Sequence, residues 1–510
     1  MPQSDRSINA SPMASPASSH TRLIQVVDAL VSRTGGEPWG VRELAAELSE
    51  SRSTVNRILV SLVEIGLASE VGVGKYGIGP RLDVLTKTLS DSSVLLGRRG
   101  ESLRELAKAS KCTALVSVYC PRSRGYFIAA CSEANSTLTF RPELGVIYPL
   151  TFGDIGRQFS KFPSSVPRQV NDTNPGLAID EAHGFYCESE FPGALSIAVE
   201  NIANDLIVSV SVHSVGQSRS KEHQSLDAGV KRVLAEIRAE IESGSIDGLQ
   251  VVSSALAQEP KSTVSRFEKL LLLACVFTQG VRNSVALHDL LLCNAATAKR
   301  LIESAVQAEL VSLVGTTLYP GPRLYQWAAK INSADRNLAD ITRKILSSLV
   351  QETGETIALL SYDETTEKAE FLEVIQGWRP IQYKLQVNVD VPLYAGAAGK
   401  AVLAYLDSRR VDTLKLERIT EATITSRKLL TEELKAIQER GWATGEGERV
   451  LGAFGLAVPF FVDGKVRGSI SATIPQYRKN ERDLPTLSAL MREATAHIER
   501  LLSLGIKARE

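Results

Sequence analysis

The run SESRSTVNR, residues 49–57, collects side chains that hydrogen-bond to nucleic acid. Arginine can pair with guanine and asparagine with adenine, while serine and threonine hydroxyls can hold phosphates. Ser51 is a favourable helix N-cap, and the apolar residues after it recur at helical spacing. The polar face of this helix comprises Ser51, Arg52, Ser53, Thr54, Asn56 and Arg57. The DNA major groove requires such a face of a recognition helix.

The segments around this helix complete a small domain. TRLIQVVDALVSR and WGVRELAAELSE predict two amphipathic helices before it, and LASEV and KYGIG predict a hairpin, or wing, after it. The inward positions of the recognition helix are Val55, Ile58, Leu59, Leu62 and Val63. Residues 21–88 therefore predict a winged helix-turn-helix, with Arg42 and Lys75 as further DNA contacts. The open alternative is a bundle that contacts protein, because this segment has eight basic and eight acidic residues.

The same unit occurs a second time in the chain. Adding 243 to the numbering aligns LSESRSTVNRILVSLVEIGLASEV, from Leu48, with LLCNAATAKRLIESAVQAELVSLV, from Leu291, without a gap. Residues 261–331 carry eight basic and four acidic side chains, which favours a surface that faces phosphates. The candidate DNA contacts are Thr297, Lys299 and Arg300. Because CNAATAKR lacks most of the polar tips of SESRSTVNR, we expect a positioning or degenerate reader.

Composition limits the remaining functions. A chain of 510 residues predicts several domains, and 58 basic against 58 acidic residues confine any nucleic-acid surface to a local patch. No apolar run has membrane-spanning length and the start lacks a signal pattern, so we expect a cytoplasmic protein. The six cysteines and six histidines show no metal, redox or Ser/His/Asp spacing. We therefore predict no catalytic residues, no metal and no cofactor.

Longer motifs indicate a family. WGVRELAAELSESRSTVNRILVSLVEIGLASEVGVGKYGIGPRL resembles the winged helix-turn-helix of the IclR family of bacterial transcriptional regulators, and LYPGPRL, ending at Leu324, repeats the signature after the wing. VPLYAGAAGKAVLAYL and the stretch from Glu432 to Pro475 are similar to the effector domain of that family, and YPLTFGDIGRQF is a worn copy. The resemblance implies two family units in series: a disordered tail at 1–20, a winged helix at 21–88, a divergent GAF-like effector domain at 89–243, a linker at 244–261, a second winged helix at 262–332 and a second GAF-like effector domain at 333–505.

The last of these segments also reads as an α+β domain from its own pattern. Helical runs such as AAGKAVLAYL and TEELKAIQERG alternate with predicted strands TIALLSY, AEFLEVIQG, IQYKLQVNV, GLAVPFFV and VRGSISATI. Free N–H groups where AAGK opens a helix can take an anion. The resemblance places the effector contacts at Ala397, Ala398, Gly455, Ser471 and Thr473. The alternative for the two hydroxyls is a partner within the sheet, and we expect Lys400 to be structural, in an exposed ion pair.

The corresponding positions in residues 89–243 are Asp154, Ile155, Ser209 and Ser211. An aspartate in the helix-opening turn would repel an anion. This pocket is therefore expected either to bind something else or to be only structural.

The combined interpretation is a ligand-responsive regulator, a repressor or dual regulator of a catabolic operon. Its expected partners are a double-stranded DNA operator and an organic acid or aromatic catabolite, with a linker helix from about Leu82 transmitting the effector state. We favour a homodimer that pairs two N-terminal reading heads over a pairing of the two heads of one chain. The other classes left open are a scaffold protein that has lost DNA binding and a sensor-fold enzyme.

Overall fold

The computed structural model describes most of the chain. The described residues are 18–96, 101–133, 140–162, 192–202, 206–214, 223–242, 249–251, 262–282, 288, 291, 293–332, 338–364, 366–380, 383, 385–387, 389–481, 483–503 and 506–508. Among them, no helix combines the length and apolarity needed to cross a membrane. The predicted tail lies outside this part up to residue 17, and its last two residues already belong to the first helix.

The N-terminal head, residues 19–92, has the predicted three helices and wing. Its elements are α1 (Ser19–Ser32), β1 (Trp39–Gly40), α2 (Val41–Glu47), α3 (Arg52–Glu64), β2 (Ala68–Gly72), β3 (Lys75–Ile78) and α4 (Pro80–Ser92). The Oγ of Ser51 accepts a hydrogen bond from the Thr54 N–H at 3.1 Å, so Ser51 is the N-cap of α3. One inward position was wrong, because Val63 is 37% exposed, whereas Ile58 is half-buried and packs against the core. Strand β1, two residues long, was not predicted and extends the wing to the order β1-β3-β2.

The C-terminal head, residues 263–332, has a similar layout. Its elements are α8 (Thr263–Val276), β10 (Val281–Arg282), α9 (Ala295–Gln307), β11 (Val311–Val314), β12 (Thr317–Pro320) and α10 (Pro322–Asn332). The side chain of Asn294 caps α9 by accepting from the Thr297 N–H at 2.9 Å. The segment between β10 and α9 lies mostly outside the described residues.

Two five-stranded antiparallel sheets carry the rest of the chain. The N-terminal sheet domain, residues 101–242, comprises α5 (Glu101–Ser110), β4 (Thr113–Cys120), β5 (Gly125–Ser132), β6 (Ile147–Pro149), α6 (Gly153–Phe159), β7 (Ala194–Ile202), β8 (Leu206–His213) and α7 (His223–Glu242). The C-terminal sheet domain, residues 338–502, comprises α11 (Leu338–Thr353), β13 (Thr356–Asp363), β14 (Lys368–Ile375), α12 (Ala397–Leu403), α13 (Arg409–Thr413), α14 (Arg427–Arg440), β15 (Ala443–Glu446), β16 (Ala453–Val462), β17 (Lys465–Pro475) and α15 (Leu484–Leu502). Their strand orders are β6-β5-β4-β8-β7 and β14-β13-β17-β16-β15.

Two sequence predictions fail in these regions. IQYKLQVNV forms no strand in its described residues, and only an isolated bridge between Glu370 and Asp390 follows it. The predicted linker at 244–261 contains a strand, β9 (Leu249–Val251), which pairs with β18 (Ile506–Ala508) at the other end of the chain. Both errors concern short or irregular segments whose pairing depends on distant residues.

The two heads pack on each other within one chain. A continuous hydrophobic core includes residues of α1 and α4 together with residues of α8 and α10. The guanidinium of Arg81, on α4, lies in this interface with its Nε 2.7 Å from Oε1 of Glu268, on α8. Arg81 also donates to the carbonyl oxygens of Leu501 at 2.9 Å and Ser503 at 2.7 Å. One buried arginine therefore joins both heads to the end of α15.

A second arginine makes the corresponding contact from the C-terminal head to the N-terminal head. Arg323, on α10, donates to Oδ2 of Asp28, on α1, at 2.5 Å, and the Trp327 indole N–H donates to the other oxygen of Asp28 at 2.7 Å. Arg323 also donates to the Ser123 hydroxyl at 3.3 Å. Each head thus sends the arginine of its GPRL motif into an acidic partner on the other head.

Each sheet domain contacts the recognition helix of the head from the other half of the chain. Arg500, on α15, donates to the carbonyl oxygen of Glu64 at the end of α3 at 2.6 Å. Arg122, after β4, donates to the carbonyl oxygen of Gln307 at the end of α9 at 2.5 Å. Cations at a helix C-terminus are favourable because they meet unpaired carbonyls and the negative end of the helix dipole.

The buried pair across the heads gives a stability prediction. Glu268→Gln should destabilise the packed heads by about 3 to 5 kcal/mol, because it leaves the Arg81 guanidinium buried without its counter-charge. Glu303→Gln, at an exposed pair 3.9 Å from Lys299, is the matched control and should change stability by less than about 0.5 kcal/mol. Chemical unfolding measures both variants, and equal midpoints would contradict a stabilising role for the pair.

Candidate DNA-binding surface and effector cleft

The outer face of α3 presents the predicted reading residues. Arg52, Asn56 and Arg57 are exposed, and their side chains make no hydrogen bond or ion pair with another described residue. Ser53 is exposed and Thr54 half-buried. Ser51 uses its hydroxyl for capping, which leaves it less suited to phosphate than predicted. Two arginines and an asparagine are therefore free to contact bases or phosphates.

Further cations flank this face. Arg42 is exposed near the start of α2, and Lys75 is exposed on the wing. The Glu70 carboxylate accepts a hydrogen bond from the Gly74 N–H at 2.8 Å, which stabilises the wing turn. The wing is thus a defined hairpin with an exposed basic residue on β3, as a contact to the DNA backbone requires.

The corresponding face of the C-terminal head is poorer in free polar groups. Lys299 and Arg300 are exposed, while Thr297 is half-buried. Lys299 lies 3.9 Å from the Glu303 carboxylate, and the Nε of Arg300 donates to the Ala296 carbonyl oxygen at 3.3 Å. The described residues of this face offer positive charge, while the exposed Asn294 amide at its start is used to cap the helix.

The five predicted effector contacts line one cleft in the C-terminal sheet domain. The cleft lies between α12, the sheet and the loop after β15, and encloses about 520 Å³ out to its mouth. Its lining includes Ala397, Ala398, Gly455, Ser471 and Thr473, together with Phe371, Tyr383, Leu385, Val391, Glu448 and Arg449. The hydroxyls of Ser471 and Thr473 make no hydrogen bond to another described residue, which argues against a partner for these hydroxyls within the sheet. Their hydroxyls are available to a ligand.

Small residues let α12 approach the sheet. A Cβ on Gly445 would lie 2.7 Å from the Ala397 nitrogen, and one on Gly455 would lie 3.2 Å from the Ala397 Cβ. The Ser469 hydroxyl donates to the Ala398 carbonyl oxygen at 3.0 Å. Side chains on the two glycines would push the helix away and distort the cleft.

Lys400 differs from its prediction. It is structural, but it is 2% exposed rather than at the surface, and its Nζ lies 2.6 Å from Oε1 of Glu448. The other oxygen of Glu448 accepts a hydrogen bond from the Gly396 N–H at 2.8 Å. The Glu448 carboxylate therefore lies at the start of α12. The sequence had predicted an anionic ligand at this place.

Arg449 is a cleft residue that the sequence analysis missed. Its guanidinium lies over the Phe371 ring, with Cζ 5.0 Å from the centroid. Burial lowers the pKa of this guanidinium, and no described carboxylate is within ion-pair distance. The sequence offers only its position beside Glu448 in GEGERVLG as a signal.

The matching region of the N-terminal sheet domain is filled by aromatic side chains. Tyr126, Tyr148, Phe152 and Phe159 pack with ring centroids 5.4 to 5.7 Å apart. Tyr126 pairs with Tyr119 across two strands, where the C-terminal sheet domain pairs Ala369 with Tyr362. A larger residue, Tyr126, thus stands where the other sheet has Ala369.

Strand register also corrects the predicted equivalences in this domain. Ser211 pairs with Leu115 as Ser471 pairs with Ala358, so Ser211 corresponds to Ser471. By the same register, His213 corresponds to Thr473. The prediction of Ser209 and Ser211 was displaced by two residues.

Polar groups at these positions bind each other. His213 Nε2 lies 2.9 Å from the Ser211 hydroxyl and its Nδ1 lies 2.8 Å from the Pro192 carbonyl oxygen, while burial lowers the pKa of the imidazole. Asp154 accepts from the Ala194 N–H at 2.8 Å and pairs with Arg157 at 2.6 Å. In the described part of this domain, Asp154, Ser211 and His213 already have partners, whereas the buried hydroxyls of Ser117 and Ser209 have none.

Comparison with known proteins places these sites in a family context. Residues 19–72 match the IclR helix-turn-helix domain, and residues 332–500 match the bacterial transcriptional regulator IclR C-terminal domain. The chain therefore contains one segment similar to each of these two domains. The first match covers the α3 reading face and the second covers the cleft.

Individual relatives agree with these IclR-type domains. The chain is 29% identical to the transcriptional repressor IclR of Escherichia coli (strain K12), over 32% of this chain and 62% of that protein. It is 32% identical to the HTH-type transcriptional regulator BhcR of Paracoccus denitrificans, over 34% and 62%. A crystal structure of Thermotoga maritima IclR is 22% identical, with a TM-score of 0.31, over 47% of this chain and 97% of that one. The chain spans about three fifths of the length of the first curated relatives it matches, and these are transcriptional regulators rather than enzymes.

The cleft gives a prediction for Ala398. Ala398→Phe should abolish stabilisation by any organic or aromatic acid that raises the Tm of the unaltered chain, because the ring would occupy the space beside Ser471. Ala489→Phe, at an exposed position on α15, is the matched control and should keep the full shift. An unchanged thermal shift in Ala398→Phe would remove this cleft as the effector site.

Proposed function

We propose that the chain is a ligand-responsive, DNA-binding regulator of transcription. The observation that carries this proposal is the coexistence of an unpaired Arg52, Asn56 and Arg57 face with an open cleft, joined through α15. The IclR-type domains match these two places. Its partners would be a double-stranded operator and a small organic or aromatic acid.

We further propose that the chain is a tandem duplication of the whole two-domain unit. The support is the offset alignment at 243, the similar layout of the two heads and the shared order of four strands in the two sheets, β5-β4-β8-β7 and β14-β13-β17-β16. The reciprocal pairs made by Arg81 and Arg323 add to it, because both arginines occupy the same place in a GPRL motif. The IclR-type family models match only the first head and the second sheet domain, where the motifs are best kept.

The contacts between the heads favour pairing within one chain over the homodimer preferred from sequence. The faces of α1, α4, α8 and α10 that meet are apolar and hold two ion pairs, one buried (Arg81–Glu268) and one partly exposed (Arg323–Asp28). A partner chain would have to displace these contacts or use another surface. One chain would then offer two unequal heads, a base reader and a phosphate-binding head, to an asymmetric operator.

The crossed contacts suggest how the effector acts. The cleft includes Gly455 on β16, α15 packs on that strand, and Arg500 of α15 reaches the end of α3. An effector in the C-terminal sheet domain would therefore influence the N-terminal head, which carries the reading face. It shifts operator affinity only as far as it binds the two arrangements unequally. The filled N-terminal sheet domain would support the other head, so we expect one effector per chain.

A scaffold protein without DNA binding remains the alternative class. Its prediction is that the chain gives no salt-dependent shift with DNA from its own promoter region. A regulator gives a shift that weakens steeply as salt rises, because phosphate binding releases counterions.

The reading face gives a direct test of the proposal. Asn56→Ala should weaken binding to the operator, found by genome-wide footprinting, by about 1 to 3 kcal/mol and barely affect random DNA, because asparagine reads a base edge. Electrophoretic shifts with both duplexes measure the difference. Equal losses on the two duplexes would show that Asn56 reads no base.

Arg300→Ala is the comparison variant in the other head. As a phosphate contact, Arg300 should contribute equally to operator and random DNA, and its removal should reduce the salt dependence by about one counterion. Loss confined to the operator would instead make the C-terminal head a second base reader.

A further inference from the structure

We propose that Arg449 is the carboxylate-binding residue of the cleft, and that the effector is a monoanionic acid with a compact apolar or aromatic body. This inference rests on the proposed function and specifies the ligand of the same site. It follows from the charge balance of the cleft, the position of the guanidinium and the distribution of apolar and hydroxyl groups around it.

The charge balance leaves one cation without a partner. Glu448 and Arg449 are the charged residues among those that line the cleft. Glu448 is already neutralised, because it pairs with Lys400 at 2.6 Å and accepts from Gly396 at 2.8 Å. Arg449 has no counter-ion among the described residues, and burial lowers the pKa of its guanidinium. A charge that is half-buried without a partner is unfavourable, and a carboxylate ligand would pair with it.

The position of the guanidinium suits a fixed recognition group. It stacks near the Phe371 ring, which is 2% exposed and so provides a rigid support. A planar guanidinium held in this way has a fork of N–H donors that matches the two oxygens of a carboxylate. Lysine in the same place would provide charge without that geometry.

The rest of the lining describes the body of the ligand. Phe371, Tyr383, Leu385 and Val391 provide an apolar wall. Ser471 and Thr473 place two unpartnered hydroxyls on one strand, where a hydroxyl or carbonyl of the ligand could meet them. A second carboxylate would find no second free cation among the described lining residues. The cleft therefore favours monocarboxylates over dicarboxylates and over neutral amides.

The test compares matched acids and amides on the full chain. The probes are benzoate, butyrate, their amides, and the dianion phthalate, each titrated by calorimetry and by thermal shift. We expect at least one monocarboxylate to bind and raise the Tm, and its amide and phthalate to bind at least about tenfold more weakly. Binding of neither monocarboxylate, or equal binding of acid and amide, would overturn the proposal.

Variants assign the effect to Arg449. Arg449→Gln should weaken the responsive acid at least about tenfold, and Arg449→Lys should recover part of the loss. Arg467→Gln removes the same charge from an exposed position on β17 and should bind the acid normally. The Tm of each variant without acid verifies folding. Unaltered acid binding by both folded variants, Arg449→Gln and Arg449→Lys, would contradict the assignment.

Separate readouts distinguish this inference from the proposed function. Operator binding by the unaltered chain is measured without any acid. If the chain binds acid through Arg449 but binds no operator, the regulator proposal fails and the carboxylate site stands. If the chain binds operator and the acid response does not depend on Arg449, the carboxylate site fails and the regulator proposal stands.

Discussion

The arrangement of the whole chain depends on two buried arginines that cross between the heads. Arg81 and Arg323 each lie in the helix after their own wing and pair with an acidic residue on the first helix of the other head. Each arginine also donates a hydrogen bond to a residue of a sheet domain or at its end. A desolvated guanidinium is tolerated only when its donors are satisfied, so every partner must be in place at once. Head pairing and sheet docking are thereby linked, because the same side chains serve both.

This linkage explains why two sheet domains of unequal character are both useful. The N-terminal sheet domain has a filled interior and internally paired polar groups, and Arg122 contacts the end of α9. The C-terminal sheet domain keeps a cleft and contacts the end of α3 through Arg500. One half of the chain can be rigid while the other responds to a ligand. The responsive half contacts the head whose helix presents Arg52, Asn56 and Arg57.

Local signals were sufficient for the parts of the fold that depend on nearby residues. The Ser51 cap, the wing and the closing strand pair around Asp463 and Gly464 follow from capping, turn chemistry and alternation. The cleft residues followed from the family motif, and the structure brings all five together. IQYKLQVNV failed because alternation alone does not supply a neighbouring strand.

Long-range features could not be predicted in this way. The GPRL motif was visible in the sequence of both heads. No sequence pattern identifies Glu268 or Asp28 as the partners of its arginines. Ser209 was misplaced because the offset between the two sheet domains rises from 243 at α6 to 260 at β8, and local sequence does not decide between Ser209 and Ser211. No local signal marks Arg449 as a cleft residue, since its place in the lining arises only when its loop meets Phe371.

The central claim is that the two heads of one chain form one DNA-binding unit. Native mass spectrometry of the chain, of 55.3 kDa, with the duplex protected in footprinting measures it most directly. The account predicts one chain per duplex and a protected site whose two halves differ in sequence. Two chains on a palindromic site, with no complex of one chain at any protein concentration, would contradict it.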